Sequence, residues 1–178
     1  MYRCRGAGRF SARQRQGQIN RQPEKRIEIE LKMANAKQTN LDLSLLEKAL
    51  TSLSQLYQRV SDPRFMAGQD DVIRWGLQAG LIQNLEFTYE ICWKTIKRWL
   101  EINATSQMMD GLTRRELFRM AAENHLIISV EDWMVFHDLR NQTSHRYDQE
   151  LAADAQVLIG DFILAAQNLL TYLKAHND

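Results

Sequence analysis

The chain has 178 residues, 44% hydrophobic and 25% charged, with eight glycines, two prolines and two cysteines. That is enough for one domain with its own core; Cys4 and Cys92 exclude a disulfide framework or cysteine zinc cluster and fit free thiols in a reducing cytosol. The net charge of +1 divides into about +6 on residues 1–32, where nine Lys or Arg meet three acids, and about −5 on the rest, which excludes a protein that coats nucleic acid but not a local RNA-handling site.

Residues 1–38 are rich in Arg, Gln, Gly and Ser and poor in large apolar groups, the composition of an unstructured basic extension. Clean patterning starts only after Met33, a candidate alternative start, so the expected domain is 39–178. The N-terminus lacks the apolar core of a secretory signal. No apolar run reaches the roughly 18 residues of a membrane span. The expectation is a cytoplasmic protein with no membrane contact.

The first helix is predicted over Leu43–Val60. Leu46, Ala49, Leu50, Leu53, Leu56, Tyr57 and Val60 recur at helical spacing, with Ser44 and Glu47 as a capping box and Ser61-Asp62-Pro63 as the stop. A long helix is predicted over Asp71–Glu101, with Ile73, Leu77, Leu81, Leu85, Tyr89, Trp93, Ile96 and Leu100 as its stripe. Gly76 and Gly80 would weaken it, or admit a close neighbour. Thr113 and Glu116 form a second capping box for a short helix over Arg114–Asn124. Ser129 is the cap of a further helix from Val130, with Glu131 and Asp132 in its first turn. The last helix, Glu150–Ala175, is apolar on a wide face (Leu151, Ala155, Leu158, Phe162, Ala165, Ala166, Leu169, Leu173). The expected fold is all-α: an antiparallel four-helix bundle with one extra short helix.

His125, His137, His145 and His176 lack ligand spacing. His137 and His145 are two helical turns apart, about 12 Å in rise, so one ion does not bridge them. No metal and no cofactor are expected. The dense polar cluster is Arg140-Asn141-Gln142-Thr143-Ser144-His145-Arg146-Tyr147-Asp148. Read as helix, it places Asn141, Ser144, His145 and Asp148 on one stripe, with Arg140, Thr143 and Tyr147 on the next. A guanidinium, an imidazole and hydroxyls close together suit phosphate chemistry. By residue type alone, a polar cluster near a helix end more often caps, pairs or is solvated.

Arg140, His145 and Tyr147 together resemble the R-x4-6-H signature, in its R-x4-H-x-Y form, of HEPN proteins of the HepT type. That branch overlaps the nucleotidyltransferase substrate-binding proteins. Leu85-Glu86-Phe87-Thr88-Tyr89-Glu90-Ile91-Cys92-Trp93-Lys94-Thr95-Ile96-Lys97 is similar to that family's F-E-(F/Y)-T-(Y/F)-E-L-x-W-K-T-L-K helix, with Leu85 where an aromatic is usual. Arg115-Glu116-Leu117-Phe118-Arg119 and Trp133 fit its next segments. The resemblance runs from about Leu41 to His176 and leaves the basic extension unmatched.

The resemblance implies a HEPN-like bundle that forms a homodimer, with the two motifs meeting across the two-fold axis. It implies a metal-independent endoribonuclease acting on an RNA substrate as the toxin of a toxin–antitoxin pair. Arg140 and His145 would be catalytic, with Asn141 and Ser144 supporting them. A cognate minimal nucleotidyltransferase antitoxin would add AMP to Tyr147. One alternative is a non-catalytic subunit that binds a nucleotide or substrate for a nucleotidyltransferase; another is a helical interaction protein with a vestigial motif.

Overall fold

The computed structural model describes residues 40–103, 111–143 and 153–177. Six helices are present among them: α1 (Ser44–Val60), α2 (Pro63–Ala67), α3 (Asp71–Asn103), α4 (Arg114–Glu123), α5 (Val130–Thr143) and α6 (Ala153–Ala175). The described residues contain no strand. The all-α expectation holds.

Four helices form the bundle, and side-chain pairings give their directions. Along α1 and α3, Ser52 Oγ donates to Asn84 Oδ1 (2.8 Å) and Thr88 Oγ1 reaches the Ala49 carbonyl (3.4 Å), so rising numbers on one meet falling numbers on the other. Gln156 bonds Ser61 at one end of the α1–α6 pair, and Lys174 pairs with Glu47 towards the other. Tyr172 Oη donates to the Asn124 carbonyl just before α5, while Phe162 meets Trp133 and Phe136 within it. Neighbours α1–α3, α3–α5, α5–α6 and α6–α1 therefore alternate up and down. The short α4 packs against α5 and α3.

The core runs the length of the bundle. Leu46, Leu53, Leu81, Leu85, Ile96, Leu100, Ile159, Leu169 and Leu173 are closed to solvent. At the α3–α5–α6 junction, Tyr89, Trp133, Phe136 and Phe162, joined by Phe118 from α4, pack in tilted and edge-on pairs with centroids 5.4–6.2 Å apart, the geometry that ring quadrupoles favour. The segment Ala155–Ala175 is long and apolar enough by length and composition to cross a membrane, although polar residues interrupt it and it holds no continuous apolar run of that length. Here it is the core helix of the bundle. Ile159, Phe162, Ala166, Leu169 and Leu173 are buried between α1 and α5, as its wide apolar face requires.

Several local expectations are corrected. Ser44 and Glu47 do not form a capping box: Leu43 is the cap residue and makes no side-chain cap. Ser44 already lies inside the helix, and its N–H donates to Asp42 Oδ1 (2.9 Å), leaving the Glu47 carboxylate to Lys174. Ser61-Asp62-Pro63 ends α1 and also begins α2. The Asp62 carboxylate accepts from the Arg64 N–H (2.9 Å), and Pro63 occupies the first turn, where a missing N–H costs nothing. The bundle thus carries two short helices, α2 and α4, where one was expected.

On α3 the strict four-residue ladder does not persist. Four residues turn a helix by about 400°, so such a row drifts about 40° per step. Ile73 is exposed and Trp93 only partly buried, while Thr88, Cys92 and Trp99 fill the face instead. Gly76 meets no neighbour, and Gly80 has ordinary contact with Leu56. The glycine that does admit a close approach is Gly160, where an added Cβ would lie 2.6 Å from Tyr57 Oη. The Thr113–Glu116 capping box is present, as is the Ser129 cap, which accepts from the Asp132 N–H (3.1 Å).

Candidate functional site

The last turns of α5 carry two stripes. Trp133, Phe136 and Leu139 turn into the core. His137, Arg140 and Asn141, at i, i+3 and i+4, share the adjoining face. Opposite them α3 presents Tyr89 and Glu90, fixed in register by the buried run Leu85, Tyr89, Cys92 and Ile96. Beside both, α4 presents Arg114 at its first position, held by the Thr113–Glu116 box: the Thr113 N–H donates to Glu116 Oε2 (2.8 Å), and the Glu116 N–H donates to Thr113 Oγ1 (3.3 Å). The Thr113 hydroxyl, which also donates to Glu116 Oε2 (2.7 Å), and then the Thr113 N–H hold the Glu116 carboxyl below its ordinary range.

A polar chain joins α3 to α5. Tyr89 Oη lies 3.0 Å from His137 Nδ1, and Asn141 Nδ2 lies 3.2 Å from His137 Nε2. Arg140 Nη1 donates to Asn141 Oδ1 (3.3 Å), and Arg140 Nη2 pairs with Glu90 Oε1 (3.2 Å). Glu90 Oε2 also pairs with Lys94 (3.3 Å). An amide nitrogen only donates, so Nε2 must accept. A neutral His137 ring then carries its proton on Nδ1 and donates it to Tyr89 Oη. This direction of bonding requires His137 to be uncharged.

Electrostatics agree. Burial is the main cause that lowers the His137 pKa below its ordinary value; the Arg114 and Arg140 cations add to it, and Asp138 and Glu90 oppose it. Burial likewise pushes the Tyr89 phenol well above its ordinary range, so it stays a neutral hydroxyl. Arg140 remains about one-third exposed (32%). A guanidinium braced by a carboxylate and an amide, with part of its surface open, is equipped to receive an oxyanion.

Of the candidates read from sequence, Arg140 and Asn141 are brought into contact with each other. Ser144, His145 and Tyr147 lie outside the described residues. So does the continuation of the helical stripes beyond Thr143. No group of three His, Cys, Asp or Glu suited to a metal ion occurs among the described residues. Cys92 is a buried, unpaired thiol.

His137, Tyr89, Glu90 and Arg114 are members of the site that the sequence motif does not include. A signal for His137 was available, since it stands three and four residues before Arg140 and Asn141 and so on their face. That Tyr89, Glu90 and Arg114 converge on it required the bundle.

Residues 41–175 match the family model described as nucleotidyltransferase substrate binding protein like. A Haemophilus influenzae protein named probable ribonuclease HepT is 34% identical over 138 residues, spanning 77% of this chain and 94% of that protein. A solved Haemophilus influenzae structure, described as revealing the fold of a substrate binding domain of a nucleotidyltransferase, superposes with a TM-score of 0.70 at 34% identity, covering 75% of this chain and 99% of that one. A crystal structure from Thermus thermophilus gives a TM-score of 0.57 at 25% identity, covering 72% and 98%. With the R-x4-H-x-Y segment in place and the match extending over nearly all of the bundle, the chain belongs to the nucleotidyltransferase substrate binding protein family as a HepT-like member.

Proposed function

We propose that this chain is the toxin of a toxin–antitoxin pair, a metal-independent endoribonuclease acting in the cytoplasm. The observation that carries the reading is Arg140. It is partly open to solvent at the end of α5, braced by Glu90 and Asn141, in a chain 34% identical to a protein named probable ribonuclease HepT. In the proposed reaction the RNA 2′-oxygen attacks its neighbouring phosphorus and the bond to the 5′-oxygen breaks. The products are a 2′,3′-cyclic phosphate and a 5′-hydroxyl. Arg140 binds the phosphate as charge develops on it. His145 transfers the proton, and Asn141 and Ser144 support the pair. Two copies join as a homodimer so that their motifs meet in one composite site.

Control belongs to a partner nucleotidyltransferase, which adds AMP to Tyr147. The added phosphate competes with RNA for the Arg140 guanidinium. A second reading has a specific support in the family description and in the description of the Haemophilus influenzae structure: a non-catalytic subunit that binds nucleotide or substrate for a nucleotidyltransferase.

The test is cleavage of defined RNA in EDTA with analysis of the product ends. Wild type should leave 2′,3′-cyclic phosphate, and Arg140→Ala and His145→Ala should lose at least about 10²-fold in rate. Tyr147→Phe should keep cleaving but resist the partner. Wild-type rates in His145→Ala would exclude the proposed centre. No cleavage by unmodified, dimeric wild type would favour the binding subunit.

A further inference from the structure

We propose that Arg114, mounted on the indole of Trp93, is a second phosphate-binding position that holds a phosphodiester of the RNA strand next to the one at Arg140. The proposal rests on the ribonuclease reading above for its ligand. Its geometry is independent of that reading.

Arg114 opens α4, and its guanidinium carbon lies 3.6 Å from the centroid of the Trp93 ring on α3. At that distance the planar cation is stacked on the aromatic face. Stacking fixes the orientation of the fork but uses none of its N–H groups. No carboxylate among the described residues pairs with Arg114, and its Nε is enclosed without an acceptor. The Nε of Arg140 is enclosed as well, and the two arginines differ in that Arg140 Nη2 is paired with Glu90. A partly buried guanidinium normally meets a carboxylate or carbonyl. Arg114 is held in place by an apolar plate instead, with donors left for a ligand.

Its position relates it to the motif. Arg114 lies on Trp93, whose chain neighbour Lys94 pairs with the same Glu90 carboxylate that Arg140 does, so the two arginines border one patch. Lys94 extends it: its Nζ lies 5.6 Å from the Trp93 centroid, its side chain is 64% exposed, and it shares Glu90 with Arg140. Lys94, Arg114 and Arg140 thus come from three helices onto one face. A nucleotide monophosphate offers these cations a single phosphate, whereas a strand offers several in succession. That favours RNA as the ligand. Residues 33–178 carry about −5 overall, so a local cluster of cations on them is a departure from their general charge.

The full-length protein and an uncleavable 2′-O-methyl RNA octamer provide the test, with binding measured across a salt series. Arg114→Gln should bind about tenfold more weakly at low salt, and its log–log salt slope should be shallower by about 0.7, the share of one phosphate contact on a single strand. Arg114→Lys keeps the charge but not the stacked fork, so it should retain the slope while losing affinity. Lys94→Gln, which leaves the stack intact, should also flatten the slope and guards against a folding defect in the Arg114 variants. In cleavage assays the Arg114→Gln loss should be larger on an octamer than on a dinucleotide. Wild-type affinity and slope in Arg114→Gln would leave Arg114 a packing residue and overturn the proposal, as would failure of wild type to bind the octamer. If wild type binds but cleaves no RNA, the nuclease reading falls while the slope still decides Arg114.

Discussion

At the scale of single residues, His137 acts as an acceptor. Its Nε2 accepts a hydrogen bond from the Asn141 amide, and Asn141 Oδ1 in turn accepts from Arg140. A protonated ring has no lone pair for this bond, so acid should loosen the brace on Arg140 and also destabilise the fold. The folded pKa is below the ordinary value, so between the two values the unfolded chain binds more protons and stability rises with pH. The contribution is complete above the unfolded value of about 6.5 and is lost as pH falls towards the lower folded value. Thermal melts over that window should show wild type losing stability on acidification, with a smaller loss in His137→Gln. Parallel pH profiles for the two proteins would rule this out. The residue types of the motif were legible in the sequence. The bracing was not, because Glu90 and Tyr89 stand about fifty positions before their partners.

At the scale of elements, local rules worked where the bond was local. The Thr113–Glu116 box and the Ser129 cap depend on residues three apart and are present as read. Ser44–Glu47 has the same spacing, but Asp42 reaches the free N–H first and Lys174 takes the carboxylate. Helix packing was less legible. Gly76 and Gly80 stood out by spacing, yet the tight contact belongs to Gly160 beneath Tyr57. Gly160→Ala should lower stability by about 1–3 kcal/mol through overpacking, offset in part by the roughly 1 kcal/mol helix preference of Ala over Gly. Tyr57→Phe removes the nearest atom and should recover part of the loss in the double variant. Denaturant melts of the two single variants and the pair measure this coupling. A Gly160→Ala protein more stable than wild type would mean that Tyr57 moves aside at little cost.

At the scale of the whole molecule, the aromatic junction ties three helices together. Phe162 contributes from α6 and meets Tyr89, Trp133 and Phe136 while closed to solvent. Phe162→Ala should cost about 3–5 kcal/mol, a large share of the stability usual for a domain of this size. Because Tyr89 and α5 carry the site, the same change should weaken RNA binding under conditions where the variant remains folded. Chemical denaturation and octamer binding on one sample compare the two effects. A loss below about 1 kcal/mol would show that the junction collapses to fill the space.

The sequence by itself determined the helical class, the main helix spans to within a few residues, the wide apolar face of α6 and the chemistry offered by Arg140-Asn141. All of these depend on periodicity or on neighbours within about one turn. Tertiary structure alone decided which side chains of α3 and α4 meet that motif. The Tyr89–His137 and Glu90–Arg140 contacts and the stack of Arg114 on Trp93 arise when separate helices pack in register. That register is set by the shape of the buried aromatic core, and a one-dimensional pattern of apolar and polar residues does not specify it.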